Sequence, residues 1–470
     1  NNEPHKWWHR RWVKIIGIIG IVLLVLAVIV ALVLNFVAFA LKKSETSTTT
    51  ATSSSSSPTT TISPVTSTTT LPQTTTTPLV TSTTTLQQTT DVTTTILQTT
   101  ATTTTLPQTT TTTTITTSLV TSTTSLPQTT TTTTTPQSEW AITDSMNNTR
   151  VWHTATVLSN GLVLVAGGRD RNYDYLNSTE LYDPSTGTWT TTGNMNHVRD
   201  SHTASLLSNG KVLVTGGYGN GILSSAELYD PPTGTWTTTG SMTNERGAHT
   251  ASILSNGKVL VTGGYGNTGA SDSAELYDPL TGIWTTTGSM INERGDYTAS
   301  VLSNGKVLVT GGWDLNIAYN SAELYDPSTG TWTTTSNMNN ARWCHTASVL
   351  SNGKVLVTGG KPDYNFTLNS AELYDPLTDI WTTTGNMNNA REEHTASVLS
   401  NEKVLVTGGW NGVSIINSAE LYDPSTGTWT TTSNMNNERW CHTASVLSNG
   451  KVLVTGGYFP TFTLNSAELY

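Results

Sequence analysis

Two Trp-Cys-His triplets, ending in His345 and His442, set a thiol beside an imidazole, and four more histidines, His153, His202, His249 and His394, recur through the C-terminal two-thirds of the chain. Thiols and imidazoles are the donor types that a copper or zinc site would use. A second charged set recurs with them. Arg150, Arg199, Arg246, Arg294, Arg342, Arg391 and Arg439 are each followed by one of Glu180, Glu227, Glu275, Glu323, Glu372, Glu420 and Glu468. Such charges can bind a ligand or can hold each other. Because each type returns at the same place in a repeated unit, the spacing favours scaffold: a residue needed in every copy is explained by building the copy. The Arg-Glu sets are expected to form a ring of structural pairs at one end of the strands. The histidines, with Tyr297 standing in the seventh place, are expected to serve inner-strand packing and hydrogen bonding.

The unit itself is defined by paired glycines at Gly167-Gly168, Gly216-Gly217, Gly263-Gly264, Gly311-Gly312, Gly359-Gly360, Gly408-Gly409 and Gly456-Gly457, which are 47 to 49 residues apart. A fixed period in this range marks a solenoid, propeller or array. In the unit that begins at Arg199, four short alternating segments read as strands: a at 202–207, b at 212–215, c at 226–229 and d at 235–238. Asn209-Gly210 between a and b tolerates the positive φ of a tight hairpin, and Asp230-Pro231-Pro232-Thr233-Gly234 reverses the chain between c and d. Four antiparallel strands per unit with no helix signal make one blade of a β-propeller.

These residues resemble the kelch-repeat family, in which aliphatics run into Gly-Gly and are followed by a spaced Tyr and Trp, as in Val212 to Gly217, Tyr229 and Trp236. The resemblance covers roughly Trp140 to Tyr470 and implies an all-β, seven-bladed propeller. It also implies either a binding scaffold or, less often, an enzyme. Seven sets of strands a to c occur, yet only six Trp strands follow Arg150. Trp140 stands before Met146, Arg150 and His153 at the offsets that separate Trp189 from Met195, Arg199 and His202. The Trp140 segment is therefore expected to supply the outer strand of the last blade, closing the ring.

Upstream, residues 15–41 are almost wholly apolar, interrupted only by Asn35, and exceed the roughly 20 residues that span a bilayer. A single-pass transmembrane helix is expected there. Lys6, Arg10, Arg11 and Lys14 precede it, which predicts a cytoplasmic tail at 1–14 and an exported propeller, at the plasma membrane or a secretory-pathway membrane. The first residue is Asn rather than Met, so a longer cytoplasmic portion fits this reading. Residues 44–137 are about half Thr, with Ser, Pro and Gln and only two acids, Glu45 and Asp91. They hold too few apolar side chains to offset the entropy of ordering, and read as a disordered, O-glycosylated, mucin-like stalk. Extended at roughly 3 Å per residue, it would reach about 200 to 300 Å.

Of the 22 basic residues six lie in the tail and helix flanks, which leaves 16 against 29 acids in the propeller region. That excess of negative charge opposes nucleic-acid binding. Asn147, Asn177 and Asn365 head Asn-x-Ser/Thr acceptors for N-glycosylation. The only cysteines, Cys344 and Cys441, belong to blades five and seven, too far apart for a disulfide to be expected.

Function is expected where the copies differ. The a-to-b and c-to-d turns are nearly constant and share one face; the b-to-c and d-to-a loops vary and share the other. That face carries Trp152, Arg169, Asp170, Tyr173, Tyr175, Asp200, Asp296, Trp313, Asp314, Trp343, Tyr364, Glu392, Glu393, Trp410, Trp440 and Tyr458. Aromatics beside charges suit recognition of an extracellular protein or a glycan. A non-catalytic, cell-surface recognition or adhesion module is the expectation, with no cofactor, no metal and no catalytic residue. The alternatives are a copper enzyme similar to the galactose and glyoxal oxidases and a structural surface-coat protein. The copper alternative lacks a ligand set that breaks the repeat symmetry. A sialidase Asp box fails on spacing, since Asp183 and Gly187 are four apart instead of two.

Overall fold

In the computed structural model the described residues are 93–105, 111–123, 140–459 and 461–470, and they fall in two units. The expected tail and membrane helix lie outside them, as does most of the Thr-rich segment. Within that segment, strands Thr93–Thr105 and Thr111–Thr123 pair antiparallel, from Thr93 opposite Thr123 to Thr105 opposite Thr111. Every regular element among the described residues is a strand, so none is a helix long and apolar enough to cross a membrane.

The second unit holds seven four-stranded antiparallel sheets. In blade 1, strands a to d are Thr154–Val157, Val163–Ala166, Thr179–Asp183 and Thr188–Thr191. Blades 2 to 6 repeat this order, ending with strand d of blade 6 at Thr428–Thr431. Blade 7 takes Thr443–Val446, Val452–Thr455 and Ala467–Leu469 as a to c, and its strand d is Ala141–Thr143 from the start of the unit. The a strands touch in succession around the axis, the last against the first, so the ring is closed with seven blades.

Burial follows position in the blade. Strand b reads Val-Leu-Val-Thr in six blades and Val-Leu-Val-Ala in blade 1, and is buried at every residue, because neighbouring blades cover both of its faces. Strand d is exposed except at its Trp, which faces the Tyr of strand c; Tyr182 and Trp189 have ring centroids 5.0 Å apart. The same pair recurs in every blade and includes Trp140 on Tyr470 at 5.1 Å, where the two ends of the propeller meet. Trp140 is 3% exposed, and its indole N–H donates to the Ser433 carbonyl of blade 6 at 2.8 Å. Each blade is thus tied to the one before it.

The paired glycines serve the same contact between blades. Gly216 and Gly217 both take positive φ, and a Cβ on Gly216 would stand 2.3 Å from the Arg246 carbonyl oxygen of the next blade. Only glycine fits there.

The seven Arg-Glu sets are ion pairs of 2.7 to 3.0 Å with both side chains fully buried. Arg294 also donates to the carbonyls of Gly311 and Ser321, while Glu323 accepts from the main-chain N–H of Ile291 and Asn292. Each pair therefore bolts the d-to-a loop onto its own blade. Replacing Arg294 with Met leaves the Glu323 carboxylate buried without its counter-charge, and is expected to cost about 3 to 5 kcal/mol in urea unfolding. The double variant Arg294→Met, Glu323→Leu is expected to recover most of that loss; equal losses in both would refute the pairing argument.

Candidate functional site

The variable face is built in two tiers above the inner strands. The lower tier consists of the residue after each repeat Arg and the residue after each Gly-Gly. These bridge as backbone within a blade, as Asp200 to Tyr218 and Trp343 to Lys361 do. Their side chains meet those of the next blade, and the chemistry changes from junction to junction while staying complementary. Arg169 of blade 1 pairs with Asp200 of blade 2, and Lys361 of blade 5 with Glu392 of blade 6. Tyr218 and Tyr265 each lie over a glycine, so that a Cβ on Gly247 or Gly295 would come within 2.6 or 2.4 Å of the ring. Trp313 stacks on Trp343 at 5.4 Å, and Trp410 meets Trp440 at 6.4 Å. At the seventh junction Tyr458 and Val151 share one apolar cluster.

Much of the loop variation is therefore consumed inside the molecule. Of the residues picked out from sequence, Asp200, Trp313, Trp343, Glu392 and Trp440 are buried. Lys361 is buried with them, its ammonium 4.1 Å from the centre of the Trp343 ring. Burial raises the Asp200 carboxyl to about 6, with the Arg169 charge acting in the opposite sense.

The upper tier is a ring around the axis. Trp152, Ser201, Ala248, Asp296, Cys344, Glu393 and Cys441 precede the inner strands, all with φ between 48° and 54°. Each main-chain N–H donates to the carbonyl of its counterpart in the preceding blade. The bonds run Ser201 to Trp152 (3.1 Å), Ala248 to Ser201, Asp296 to Ala248, Cys344 to Asp296, Glu393 to Cys344 and Cys441 to Glu393, and Trp152 closes the circle on Cys441 (3.3 Å). Side chains are disfavoured at such φ, which requires the surrounding blades to hold them there. Three of them converge: the Cys344 thiol lies 3.4 Å from one Glu393 oxygen, and the Cys441 thiol bonds the other. Neither cysteine is in a disulfide. Burial and the neighbouring Glu393 and Asp296 carboxylates push the Cys344 thiol well up, so it is a poor nucleophile at neutral pH. Sequence reasoning reached Glu393 only as one variable loop residue among many; the signal that would have found the ring is the residue before the repeat His.

The remaining candidates sit in the loops above. Arg169 lies over Tyr175, 4.2 Å from the ring centre, and donates to its hydroxyl at 2.8 Å. Tyr173, with φ of 64°, packs on Tyr458 of blade 7 at 6.2 Å, next to Asp170 in the same loop. Asp314 caps its own loop by accepting from Asn316 and Ile317. Tyr364 sets its edge against Trp313 and Trp343 and is 52% exposed.

The histidines below are latches between blades. His345 Nε2 is 3.0 Å from both Thr298 and Thr310 Oγ1 of the preceding blade, and Tyr297 reaches Thr250 at 3.0 Å in the same way. All six histidines at this position are buried with lowered pKa, first by desolvation and then by nearby arginines.

The sequence matches the KLHDC2/KLHL20/DRC7 Kelch-repeats domain over residues 112–291, 152–360 and 298–469. The chain belongs to the Kelch-repeat family. Its Kelch propeller also superposes on a solved fungal alcohol oxidase of the AA5 family in complex with copper. The TM-score is 0.60 at 20% identity, over 70% of this chain and 75% of that one. At that identity the likeness speaks for the fold. No curated protein matches the chain. The Kelch residues do not fit copper: the repeat histidines spend Nε2 on threonines in separate blades, and among the described residues no group of three or more His, Cys, Asp or Glu could hold a metal ion.

Proposed function

We propose that this Kelch propeller is a non-catalytic recognition module, held outside the cell by the apolar segment 15–41 and the Thr-rich segment that follows it. It binds an extracellular protein or glycan through the b-to-c and d-to-a loop face. The observation that carries this reading is the junction of blades 7 and 1. There Tyr173 on Tyr458 and the Thr463 hydroxyl, donating to the Asp170 carbonyl at 3.4 Å, brace two loops from different blades. Beside them Arg171 and Asp174 are exposed and Phe462 is 48% exposed. Rigid rings set next to solvent-facing charges of both signs supply contact area and orientation together. On the opposite face the turn lysines and aspartates pair with each other, as Lys306 does with Asp326 at 3.1 Å.

Screening residues 138–470 on glycan arrays and against extracellular proteins would find the ligand. The double variant Arg171→Ala, Asp174→Ala is then expected to weaken binding by about tenfold or more while leaving the melting temperature unchanged. Undiminished binding would move the site elsewhere.

A further inference from the structure

We infer that Asn365 carries an N-linked glycan, that this glycan covers the blade-5 sector of the variable face, and that Asn147 and Asn177 remain bare. The inference rests on the export reading above, and three observations separate the acceptors.

The side chain of Asn177 belongs to the scaffold. Its amide donates to the Met195 carbonyl at 3.0 Å, and Asn320, Asn369, Asn417 and Asn465 make the same bond to Met338, Met387, Met435 and Met146. The hydroxyl residue of this acceptor, Thr179, is 1% exposed on strand c. A glycan at Asn177 would have to displace a bond that five blades use. Asn147 is likewise committed: its amide and its main-chain N–H both donate to Glu180 Oε2, at 3.0 and 2.7 Å, within a buried Arg-Glu bolt. Asn196, Asn339, Asn388 and Asn436 donate to their own blades' glutamates in the same manner.

Asn365 differs on each count. It is exposed on the b-to-c loop of blade 5, and only its main-chain N–H is engaged, on Asp363 Oδ1 at 2.7 Å. The Asp363 side chain also accepts from Phe366 N–H at 3.1 Å, so the loop is held in a turn that presents the Asn365 amide outward.

The surface around this amide is partly apolar and open. Tyr364 and Phe366 flank it in sequence at 52% and 65% exposed. Val413, 83% exposed, stands on the adjoining blade-6 loop, where a Cβ on Gly412 would lie 3.4 Å from Thr367 Oγ1. Phe366 and Val413 thus stand open on neighbouring loops, where a cover would take apolar surface out of water. A covalently attached sugar, whose C–H faces pack on aromatic rings and whose hydroxyls face water, suits rings placed one residue either side of its own anchor.

The test is to express the full chain in a eukaryotic secretory host and to map occupied asparagines by glycopeptide mass spectrometry after peptide N-glycosidase treatment in heavy-oxygen water. Asn365 is expected to be occupied and Asn147 and Asn177 empty. Thr367→Ala, which keeps Asn365 but destroys its acceptor, is expected to remove one step in gel mobility. The same variant should raise the fluorescence of an apolar-surface dye, because Tyr364 and Phe366 are then uncovered. A second variant, Pro184→Asn, creates an acceptor on the exposed blade-1 turn and reports export independently. If that reporter is modified while Asn365 is bare, the inference fails and export stands. If neither is modified, the export reading falls and takes the inference with it. Occupancy at Asn177 in the folded protein, or an unchanged dye signal in Thr367→Ala, would also overturn it.

Discussion

Deleting residues 138–143 is expected to abolish closure of the propeller ring. The deletion removes Trp140, buried at 3% exposure against Tyr470, and the three-residue strand that pairs Ala141 with Leu469, Ile142 with Glu468 and Thr143 with Ala467. Loss of a buried Trp side chain alone costs about 3 to 5 kcal/mol. Strand c of blade 7 then becomes an open edge, with unpaired N–H and C=O groups that recruit other strands. Size-exclusion chromatography should show larger, associated or domain-swapped species than the intact chain gives, and calorimetry a large fall in melting temperature. Trp140→Ala, which keeps the strand, should elute like the intact chain and have an intermediate melting temperature. A truncated chain with the stability and elution of the intact one would show that the ring does not depend on this strand.

Mild acid is expected to destabilise the propeller above the pH range in which Glu227, Glu372, Glu420 and Glu468 titrate. His153 and His394 are held near a pKa of about 3 by burial and by the neighbouring arginines, against an ordinary 6.5. The other four repeat histidines shift in the same direction. Between those limits the unfolded chain binds protons that the folded chain refuses, so stability is full above pH 6.5 and drains as the pH falls. At pH 5 each of His153 and His394 removes about 2 kcal/mol. Glu227, Glu372, Glu420 and Glu468, whose pKa values are lowered in spite of their burial, add losses of the same sign below about 4.5. Asp200 acts oppositely, because a carboxyl raised to about 6 regains stability on protonation, but one such group is set against six imidazoles. Melting curves at stepped pH should fall steeply from pH 6.5 towards 4.5. His394→Tyr, which copies the phenol of Tyr297 in blade 4, is expected to reduce the pH slope by about one proton. An unchanged slope would show that the histidines are not the titrating groups.

The seven-bladed Kelch fold was legible in the sequence because the repeat states it seven times over. Val-Leu-Val running into Gly-Gly between turn residues reads as a strand in every copy, and Gly-Gly returns wherever the next blade's Arg carbonyl must approach. The candidate site was legible only as a face. Trp313, Trp343 and Trp440 vary among the copies, and variation on loops looked like recognition; in the structure they fill junctions between blades. What distinguishes the two roles is a relation between successive units, such as Gly247 opposite Tyr218 or Glu392 opposite Lys361, which no single unit displays. The ring of positive-φ residues was hidden for a different reason. Trp, Ser, Ala, Asp, Cys and Glu share no side-chain property, and a backbone constraint imposed by neighbouring blades leaves no mark on residue type.

The pairing of Ala141–Thr143 with Ala467–Leu469 also sets an order of events during synthesis. Blades 1 to 6 draw all four strands from contiguous sequence, so each can assemble as it leaves the ribosome. The closing strand is made before any of them, yet has no partner until the last blade has been translated. At about 5 to 20 residues per second the nascent chain waits tens of seconds with that strand unsatisfied. For this interval its edge is open to wrong pairing, and a chain ended before residue 467 leaves the first strand without its partner.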